Sequence, residues 1–341
     1  MKAAILYQGK VESGEAPDPT PQEGQVLVRT HRCALCASDL HFMCSGQEIV
    51  RQSKEFGGPY ATVDLDQPII MGHEFVGEVV DYGPGSRKPL KIGARVTSLP
   101  VMMSSTFGII GYANALPGGF AEYMLLDENI MMEVPEHISA DAAALIEPLA
   151  VGIEHARVGE PKKGDIPLVL GCGAIGLAVI AGLKLAGIDR IIAADLEPSR
   201  RALALKMGAE VALDPRDGSP YRYIPGVGQP NLVYECVGKS GLLNEMILNL
   251  GAEARIVLGG FSLEPEQLFV PPAQMKKLKI LFARGEEPQD MQLAMEAIAD
   301  GRIDITPWIG EKIALGGVAH ALEGLADASR PVRTIVDPSF S

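Results

Sequence analysis

This sequence has few cysteines, no surplus of basic charge and no long apolar run, and each of these absences excludes a class of protein. Its 5 cysteines are an odd number scattered over 341 residues, which is typical of metal ligands and reduced thiols rather than of a disulfide framework. It carries 30 basic and 43 acidic residues, a net charge of −13, so we expect binding neither to nucleic acid nor to an anionic membrane surface. No apolar run approaches the roughly 20 residues that a membrane-spanning helix requires.

The opening residues and the length set the expected compartment and the number of domains. Residues 1–7 predict a first strand and show neither the apolar core nor the cleavage site of a signal peptide, so the sequence predicts a cytoplasmic protein. The chain of 341 residues exceeds the usual size of one hydrophobic core, and 47% of it is hydrophobic. We therefore expect two domains.

Two patterns of secondary structure divide the chain. Short β-rich runs between glycine and proline turns, such as 25–30 and 75–80, fill the first 150 residues and predict a mostly antiparallel β domain. From Asp165 onward, apolar strands alternate with helices, which predicts a doubly wound parallel sheet. The elements expected there are strands at 166–170, 191–194, 232–235, 255–258 and 279–283 and a helix at 175–186, and a further helix at 290–299 lies beyond this region. We assign residues 151–287 to a dinucleotide-binding domain, and residues 1–150 and 288–341, with a last strand at 332–336, to a catalytic domain.

A glycine-rich turn at 171–176 lies between a predicted strand and a predicted helix. Gly171 permits the turn, Gly173 lets the backbone approach a pyrophosphate, and Gly176 allows close packing of helix against strand. The free N–H groups of the helix start, at Ala174 and Ile175, then face the phosphates. This context predicts an NAD site.

An acidic residue, Asp195, follows the turn by about twenty positions, where a carboxylate binds the adenosine ribose hydroxyls. The alternative is that Asp195 caps the helix that opens at 197–200. Cys172, inside the turn, is interpreted as a small residue that the turn tolerates.

Cys36, His73 and Glu74 offer a thiolate, an imidazole and a carboxylate, a set suited to zinc. Cys33 and Cys36 also form a C-x-x-C pair, for which several interpretations are open. A redox pair is disfavoured because the motif lies in a β-rich segment rather than at a helix start. A structural zinc site would need Cys44 with His31 or His41, and a buried, inert Cys33 is favoured over it.

These segments together resemble a known family. The run 36–41 (C-A-S-D-L-H), the run 72–74 (G-H-E), the run 147–150 (E-P-L-A) and the glycine turn are similar to those of the zinc-dependent medium-chain dehydrogenases, the alcohol and polyol dehydrogenase group. The resemblance covers nearly the whole chain. It implies a GroES-like β-rich catalytic domain, a Rossmann domain, one catalytic zinc per chain and NAD.

The resemblance also implies roles for single residues. Cys36 and His73 are expected zinc ligands, with Glu74 and Glu147 as ligand or exchanging carboxylates, and Asp39 is expected to orient His73. Ser38 and His41 resemble a relay that carries a proton through the nicotinamide ribose. The further residues expected at the cofactor are Arg200, Cys236, Val237, Gly259, Gly260 and, at the pyrophosphate, Arg333.

Two departures from the family pattern stand out. Where the family has a lobe of closely spaced cysteines, residues 101–106 contain none, so no structural zinc is expected. The stretch 45–67 is longer than the family usually shows, and its portion at 56–60 is either a substrate lid or a surface loop without contact to the chemistry.

The sequence thus predicts a zinc- and NAD-dependent alcohol dehydrogenase that acts on a secondary alcohol or ketone, assembled as a homodimer or homotetramer. Apolar residues expected at the substrate favour that class, although core packing also explains them: Phe42, Met43, Leu99, Met102, Met103 and Phe107. Glu147 instead favours a polyol or a hydroxy amino acid. Two alternatives from other classes are a metal-free double-bond reductase and a non-catalytic nucleotide-binding protein. The first leaves the ligand set at 36, 73 and 74 without a purpose, and the second leaves the relay of Ser38 and His41 without one.

Overall fold

The computed structural model of the chain describes residues 1–104 and 107–340 and divides into two units. The first unit comprises Met1–Glu147 with Ile305–Ser341, and the second comprises Pro148–Asp304. Ser105 and Thr106, which belong to the cysteine-free run at 101–106, lie outside the described residues.

Strands are distributed over both units. In chain order they are β1 (Lys2–Tyr7), β2 (Lys10–Glu15), β3 (Gln25–Ala34), β4 (Glu74–Tyr82), β5 (Arg95–Ser98), β6 (Val101–Met102), β7 (Gly108–Ile109), β8 (Tyr123–Asp127), β9 (Met131–Glu133), β10 (Pro167–Leu170), β11 (Ile192–Ala194), β12 (Val211–Leu213), β13 (Leu232–Glu235), β14 (Arg255–Leu258), β15 (Lys279–Phe282), β16 (Ile309–Ile313) and β17 (Arg333–Val336).

The helices lie mainly in the second unit. They are α1 (Ala37–Phe56), α2 (Ala140–Ala143), α3 (Ile146–Val158), α4 (Ala174–Leu185), α5 (Pro198–Lys206), α6 (Leu242–Asn249), α7 (Val270–Met275), α8 (Pro288–Ala299) and α9 (Val318–Gly324), with short 3-10 turns at Thr306–Trp308 and Leu315–Gly317. No helix among the described residues is both long and apolar enough to cross a membrane.

The first unit is built around a sheet of order β16-β17-β3-β4-β5-β9, with β8 also paired to β3. β3 and β4 are antiparallel, and their register places Ala34 opposite Glu74. The end of β3 therefore meets the start of β4, which brings Cys36 toward His73. β17 lies on the other side of β3 with Ile335 opposite Ala34, and this pairing carries Arg333 to the same end of the sheet.

The second unit contains a six-stranded sheet of order β12-β11-β10-β13-β14-β15, and every neighbouring pair is parallel. The parallel sheet predicted from the alternation of strands and helices is confirmed. β10 and β13 are buried along their whole length, as expected for central strands covered on both faces. The strand order reverses between β10 and β13, where dinucleotides bind in this architecture.

The division into units differs from the predicted one at α8, which the sequence assigned to the first domain. α8 belongs to the second unit because Arg157 of α3 donates to Asp290 at 2.9 Å and because α8 buries Met291 and Ala294. The sequence of α8 by itself does not indicate that this helix packs against α3.

Candidate active site

The first unit gathers a cluster of potential metal ligands. One donor atom from each of Cys36, His73 and Glu74 lies within 4.8 Å of the others. Gly72, at φ +97°, makes the preceding turn, and a Cβ there would press against Phe120 and Cys33. The set of sulfur, nitrogen and oxygen donors fits zinc, and the buried Glu74 Oε2 has no hydrogen-bond partner among the described residues. These residues therefore fit the zinc ion that the sequence predicts.

Cys36 and His73 favour opposite charges even without a metal. Burial opposes ionisation of the Cys36 thiol, but the hydrogen bond and charge of His73, helped by Arg333, lower its pKa to about 6. Burial alone would lower the pKa of His73, yet the charge of Asp39 and the contact with Cys36 raise it well above its usual range. The site is thus a thiolate beside an imidazolium, and the thiolate is the form that ligates metals.

Asp39 connects this cluster to the start of α1. Its Oδ2 accepts from the Cys36 backbone N–H at 3.0 Å, which makes a capping box with Cys36 as the N-cap. Its Oδ1 lies 3.4 Å from His73 Nδ1. The same carboxylate thus starts the helix and faces the imidazole, an arrangement that orients a ligating histidine.

Glu74 is paired with Arg333, and both side chains are buried. Arg333 Nη2 donates to Glu74 Oε1 at 2.6 Å. Burial raises the pKa of Glu74 well above its usual range, Arg333 opposes this shift, and the charges of Cys36 and Glu147 add to it. Glu147 is therefore close to the cluster, but it lies outside the group of three whose donor atoms converge. The predicted contact of Arg333 with the pyrophosphate stays a prediction.

Ser38 and His41, the predicted proton relay, both lie on the first turns of α1. Ser38 Oγ is 3.3 Å from His73 Nε2, and burial lowers the pKa of His41. Ser38 also meets the hydroxyl of Tyr112 at 3.0 Å. No signal in the sequence marks Tyr112, which lies in a loop between β7 and β8 with no motif around it.

The long stretch at 45–67 is helical through Phe56, since α1 continues to that residue with a kink at Ser45. The segment at 56–60, expected to be a lid or a surface loop, begins where this helix ends, and its role stays a prediction. The local signs of the helix were present, namely a left-handed Gly57 at its end and an Arg51 paired with Glu48 and Glu55. Beyond the helix, Tyr60 packs 5.8 Å from Tyr112, measured between ring centroids.

The residues expected at the substrate are dispersed. Phe42 is buried and its ring lies 4.9 Å from that of Tyr112, whose own ring lies 5.2 Å from the His73 ring. Met102 packs instead into a separate core with Leu116 and Leu125. Met103 and Phe107 are exposed.

The expectation that the C-x-x-C pair lies away from a helix start is wrong. Cys36 is the N-cap of α1, so the motif does lie at a helix start, where the sequence predicted continued β structure. The favoured interpretation of Cys33 is nevertheless supported, because Cys33 is buried and burial raises the pKa of its thiol well above the usual range. A protonated, buried thiol is inert.

In the second unit the glycine turn follows β10 and opens α4. Gly171 has φ +85°, and a Cβ on Gly176 would overlap the Gly171 carbonyl oxygen, so helix and strand approach as predicted. Gly173 is the N-cap of α4, and a Cβ there would meet no protein atom within 4 Å. The turn therefore leaves an open face at the helix N-terminus, beside Ala174 and Ile175, which fits a dinucleotide pyrophosphate.

Asp195 directly follows β11 and accepts a hydrogen bond from the glycine-rich turn at 171–176. Its Oδ2 accepts from Cys172 N–H at 2.7 Å, and its Oδ1 accepts from Glu197 N–H at 2.8 Å. The second contact gives the helix-start alternative some support, although Glu197 is the N-cap of α5. Each carboxylate oxygen keeps a further lone pair for a ribose hydroxyl. Burial raises the pKa of Cys172 to about 12, as expected for a thiol without a chemical role.

Several arginines surround Asp195. Arg200 is close enough to Cys172 for its charge to oppose the rise in that thiol's pKa. Arg201 and Arg216, which the sequence analysis did not select, donate to the Leu196 carbonyl and pair with Asp214.

The remaining predicted cofactor residues lie at the ends of β13 and β14. Glu235 Oε1 accepts from the N–H groups of Val237 and Gly238, and the Glu235 carbonyl accepts from Gly259 and Gly260. Cys236 follows directly and lies beside Gly171. Register thus brings Cys236, Val237, Gly259 and Gly260 to the same sheet edge as the glycine turn, while their contact with the cofactor stays a prediction.

Two known families match this chain. Residues 22–136 match the alcohol dehydrogenase GroES-like domain, and residues 174–300 match the zinc-binding dehydrogenase family. The first match lies in the β-rich unit, and the second covers the parallel sheet with its glycine turn. The predicted combination of a GroES-like and a Rossmann domain is confirmed.

Individual relatives agree with these matches. The chain is 35% identical over 226 residues to (R,R)-butanediol dehydrogenase of Bacillus subtilis (strain 168), a match that spans 63% of each chain. It is 30% identical over 319 residues to a Saccharomyces cerevisiae protein named as a probable diacetyl reductase forming (R)-acetoin, covering 82% of this chain and 75% of that one. The crystal structure of 2R,3R-butanediol dehydrogenase from Bacillus subtilis matches with a TM-score of 0.82 and 26% identity over 99% of both chains.

Proposed function

Because this chain belongs to the zinc-dependent medium-chain dehydrogenase family, we propose that it transfers hydride between NAD(H) and a small vicinal diol or its hydroxyketone. The enzyme class, an oxidoreductase that acts on CH–OH groups, follows from the family. The vicinal diol is our narrower proposal. It keeps the predicted secondary alcohol and gives it a second hydroxyl.

One observation carries the proposal, namely the convergence of Cys36, His73 and Glu74 within 4.8 Å. A zinc ion held by these residues would supply Lewis acidity, lowering the pKa of an alcohol hydroxyl and polarising a ketone. A metal-free double-bond reductase has no use for such a cluster. NAD supplies the hydride acceptor, and the glycine turn at 171–176 supplies its anchor.

The protein's own groups handle the proton. Ser38 Oγ lies 3.3 Å from His73 Nε2, so a hydroxyl presented at the ligand cluster is within reach of this serine. His41 is neutral at pH 7, because burial lowers its pKa below the usual value, and a neutral imidazole accepts a proton. Ser38 as first acceptor and His41 as final acceptor make a relay that delivers the proton to solvent.

The narrower substrate class is supported by two observations. The named relatives include butanediol dehydrogenase and a diacetyl reductase. In addition, Phe42, Tyr60 and Tyr112 form a wall of aromatic rings beside His73, which suits a short carbon chain better than a long, fully hydroxylated sugar alcohol.

We further propose that the enzyme is a homodimer or homotetramer whose subunits meet at β15. This strand is one of the two edges of the parallel sheet, and its Phe282 is 77% exposed. An open strand edge with an exposed aromatic side chain favours pairing with another chain. A second copy of the same strand, related by two-fold symmetry, is the partner of matching shape.

The test is a panel of alcohols assayed for NAD reduction, together with metal analysis. We expect (R,R)-2,3-butanediol to give a higher kcat/KM than sorbitol, L-threonine or 2-butanol, and we expect one zinc per chain. Cys36→Ser should lose zinc and turnover while it retains NAD binding, whereas the exposed Cys44→Ser is the matched control. Faster turnover of sorbitol or threonine would reject the diol, and full activity of Cys36→Ser would reject the metal mechanism.

A further inference from the structure

The Tyr112 hydroxyl lies within hydrogen-bonding distance of Ser38 and Asp39, and no sequence motif includes this tyrosine. Its ring is buried and packs between Phe42, Tyr60 and His73, at centroid distances of 4.9, 5.8 and 5.2 Å. The Tyr112 backbone N–H also donates to the Ile109 carbonyl at 3.0 Å, which fixes the backbone of this residue in a turn. The position of the hydroxyl oxygen is therefore determined by packing on several sides.

The hydroxyl lies 2.7 Å from Asp39 Oδ1 and 3.0 Å from Ser38 Oγ. A tyrosine hydroxyl has one proton to donate, and a carboxylate has none. Tyr112 therefore donates to Asp39, in the shorter and charge-assisted bond. The contact with Ser38 is then made by the proton of the serine, with the tyrosine oxygen as acceptor.

This direction decides what Ser38 can do. With its own proton committed to Tyr112, Ser38 Oγ presents its lone pairs to an incoming donor on the side of His73, whose Nε2 lies 3.3 Å away. A serine that accepts from a substrate hydroxyl is what alcohol oxidation requires at this position. Without the Tyr112 oxygen, the Ser38 hydroxyl rotates among its staggered positions, and only some of them leave an acceptor facing the substrate.

We propose that Tyr112 is a positioning residue of the proton relay: its hydroxyl orients the Ser38 hydroxyl as an acceptor and ties that orientation to Asp39, which faces the ligand His73. The inference rests on the proposed dehydrogenase function and adds to it a residue from a separate loop. In this role the Tyr112 hydroxyl acts through Ser38 and contacts neither the reacting hydroxyl nor the cofactor, while its ring belongs to the aromatic wall.

The experiment is Tyr112→Phe, which removes one oxygen and keeps the ring contacts. We expect kcat for oxidation of (R,R)-2,3-butanediol to fall by about 10- to 100-fold, with KM changed less than about threefold. Zinc affinity, measured by chelator competition, should stay within about threefold of wild type because the ligands are untouched. Tyr82→Phe is the matched control, since it removes a buried hydroxyl bonded to the Leu90 carbonyl at 2.8 Å and should retain full activity.

A double-mutant cycle separates positioning from a general structural effect. If Tyr112 acts through Ser38, then Ser38→Ala and Ser38→Ala/Tyr112→Phe should have equal kcat. Wild-type kcat in Tyr112→Phe, additive losses in the cycle, or a loss that matches the loss of zinc would each overturn the proposal.

A second readout does not depend on turnover. Urea unfolding of the metal-free chain should give non-additive midpoints for Tyr112→Phe and Ser38→Ala, because both remove the same hydrogen bond. Additive midpoints would overturn the contact. If the wild-type protein oxidises none of the alcohols, the proposed function fails, and this cycle still decides whether the Tyr112 hydroxyl orients Ser38.

Discussion

Arg333 and Glu74 are 259 positions apart in the chain and form a buried ion pair, with Arg333 Nη2 2.6 Å from Glu74 Oε1. The pair places the Arg333 guanidinium against Glu74, one of the three residues expected to bind zinc. It also joins β17 to the start of β4 at the end of the sheet where Cys36 lies. The metal cluster therefore depends on a strand that comes almost at the end of the sequence.

Removal of one member of this pair should be costly. We expect Arg333→Gln to lower the free energy of unfolding by about 3 kcal/mol, since it leaves Glu74 buried without its partner. Arg29→Gln is the control, because Arg29 pairs with Glu78 at 2.7 Å on the surface and should cost less than about 1 kcal/mol. Urea unfolding measures both, and equal costs would contradict the importance of burial.

Zinc uptake should release a proton. The pKa of Cys36 is about 6 and that of His73 is raised well above its usual value, so at pH 7 the thiol is ionised and the imidazole is protonated. Zinc must displace the imidazole proton. Apparent zinc affinity should therefore rise with pH until it passes the pKa of His73 and then level off. A weakly buffered indicator assay detects the proton, and affinity that falls between pH 6 and 8 would contradict the assignment.

His41→Ala should slow proton release without loss of zinc. We expect a penalty in kcat of about 10- to 100-fold that shrinks as pH rises, because hydroxide replaces the relay. His320→Ala, a substitution at an exposed histidine, serves as the control and should have no effect. A defect that is the same at every pH would instead indicate a structural role for His41.

Asp195 should select NAD over NADP. We expect the adenosine ribose to lie at its carboxylate, where the 2′-phosphate of NADP would bring a second negative charge, and two negative charges repel. We expect a preference in kcat/KM of about 100-fold, or about 3 kcal/mol, limited by the nearby Arg200. Asp195→Ser should bring NADP close to parity, whereas Asp189→Ser, at a surface acid paired with Lys184, should not. Higher kcat/KM with NADP in the wild-type enzyme would leave Asp195 with a purely local role.

Assembly should depend on the exposed edge of the parallel sheet. We expect the wild-type protein to sediment as a dimer or tetramer at micromolar concentration, and Phe282→Glu to shift it toward monomer by placing a charge on β15. Leu205→Glu, at a partly exposed position on α5, is the control. A wild-type monomer would contradict the proposed assembly.

The sequence by itself determined the features that depend on local pattern. Strand and helix periodicity predicted the parallel sheet of the second unit, because buried strands and their connecting helices have distinct apolar spacing. The glycines of the turn and the donors Cys36, His73 and Glu74 were recognisable because their chemistry needs those residue types. Helix α1 was not predicted, because the β-rich runs on either side of it suggested that strands continue. Gly57 at its end and the ion pairs of Arg51 with Glu48 and Glu55 were the local signs of a helix.

Only the tertiary structure decided which distant residues meet. The register of β3 with β4 and β17 brings Arg333 to Glu74. Register is a property of two paired strands, so it cannot be read from one strand alone. Tyr112 reaches Ser38 and Asp39 from a loop that carries no motif, held there by aromatic packing. The same reason explains α8, whose place in the second unit follows from the bond between Arg157 and Asp290 rather than from its own sequence.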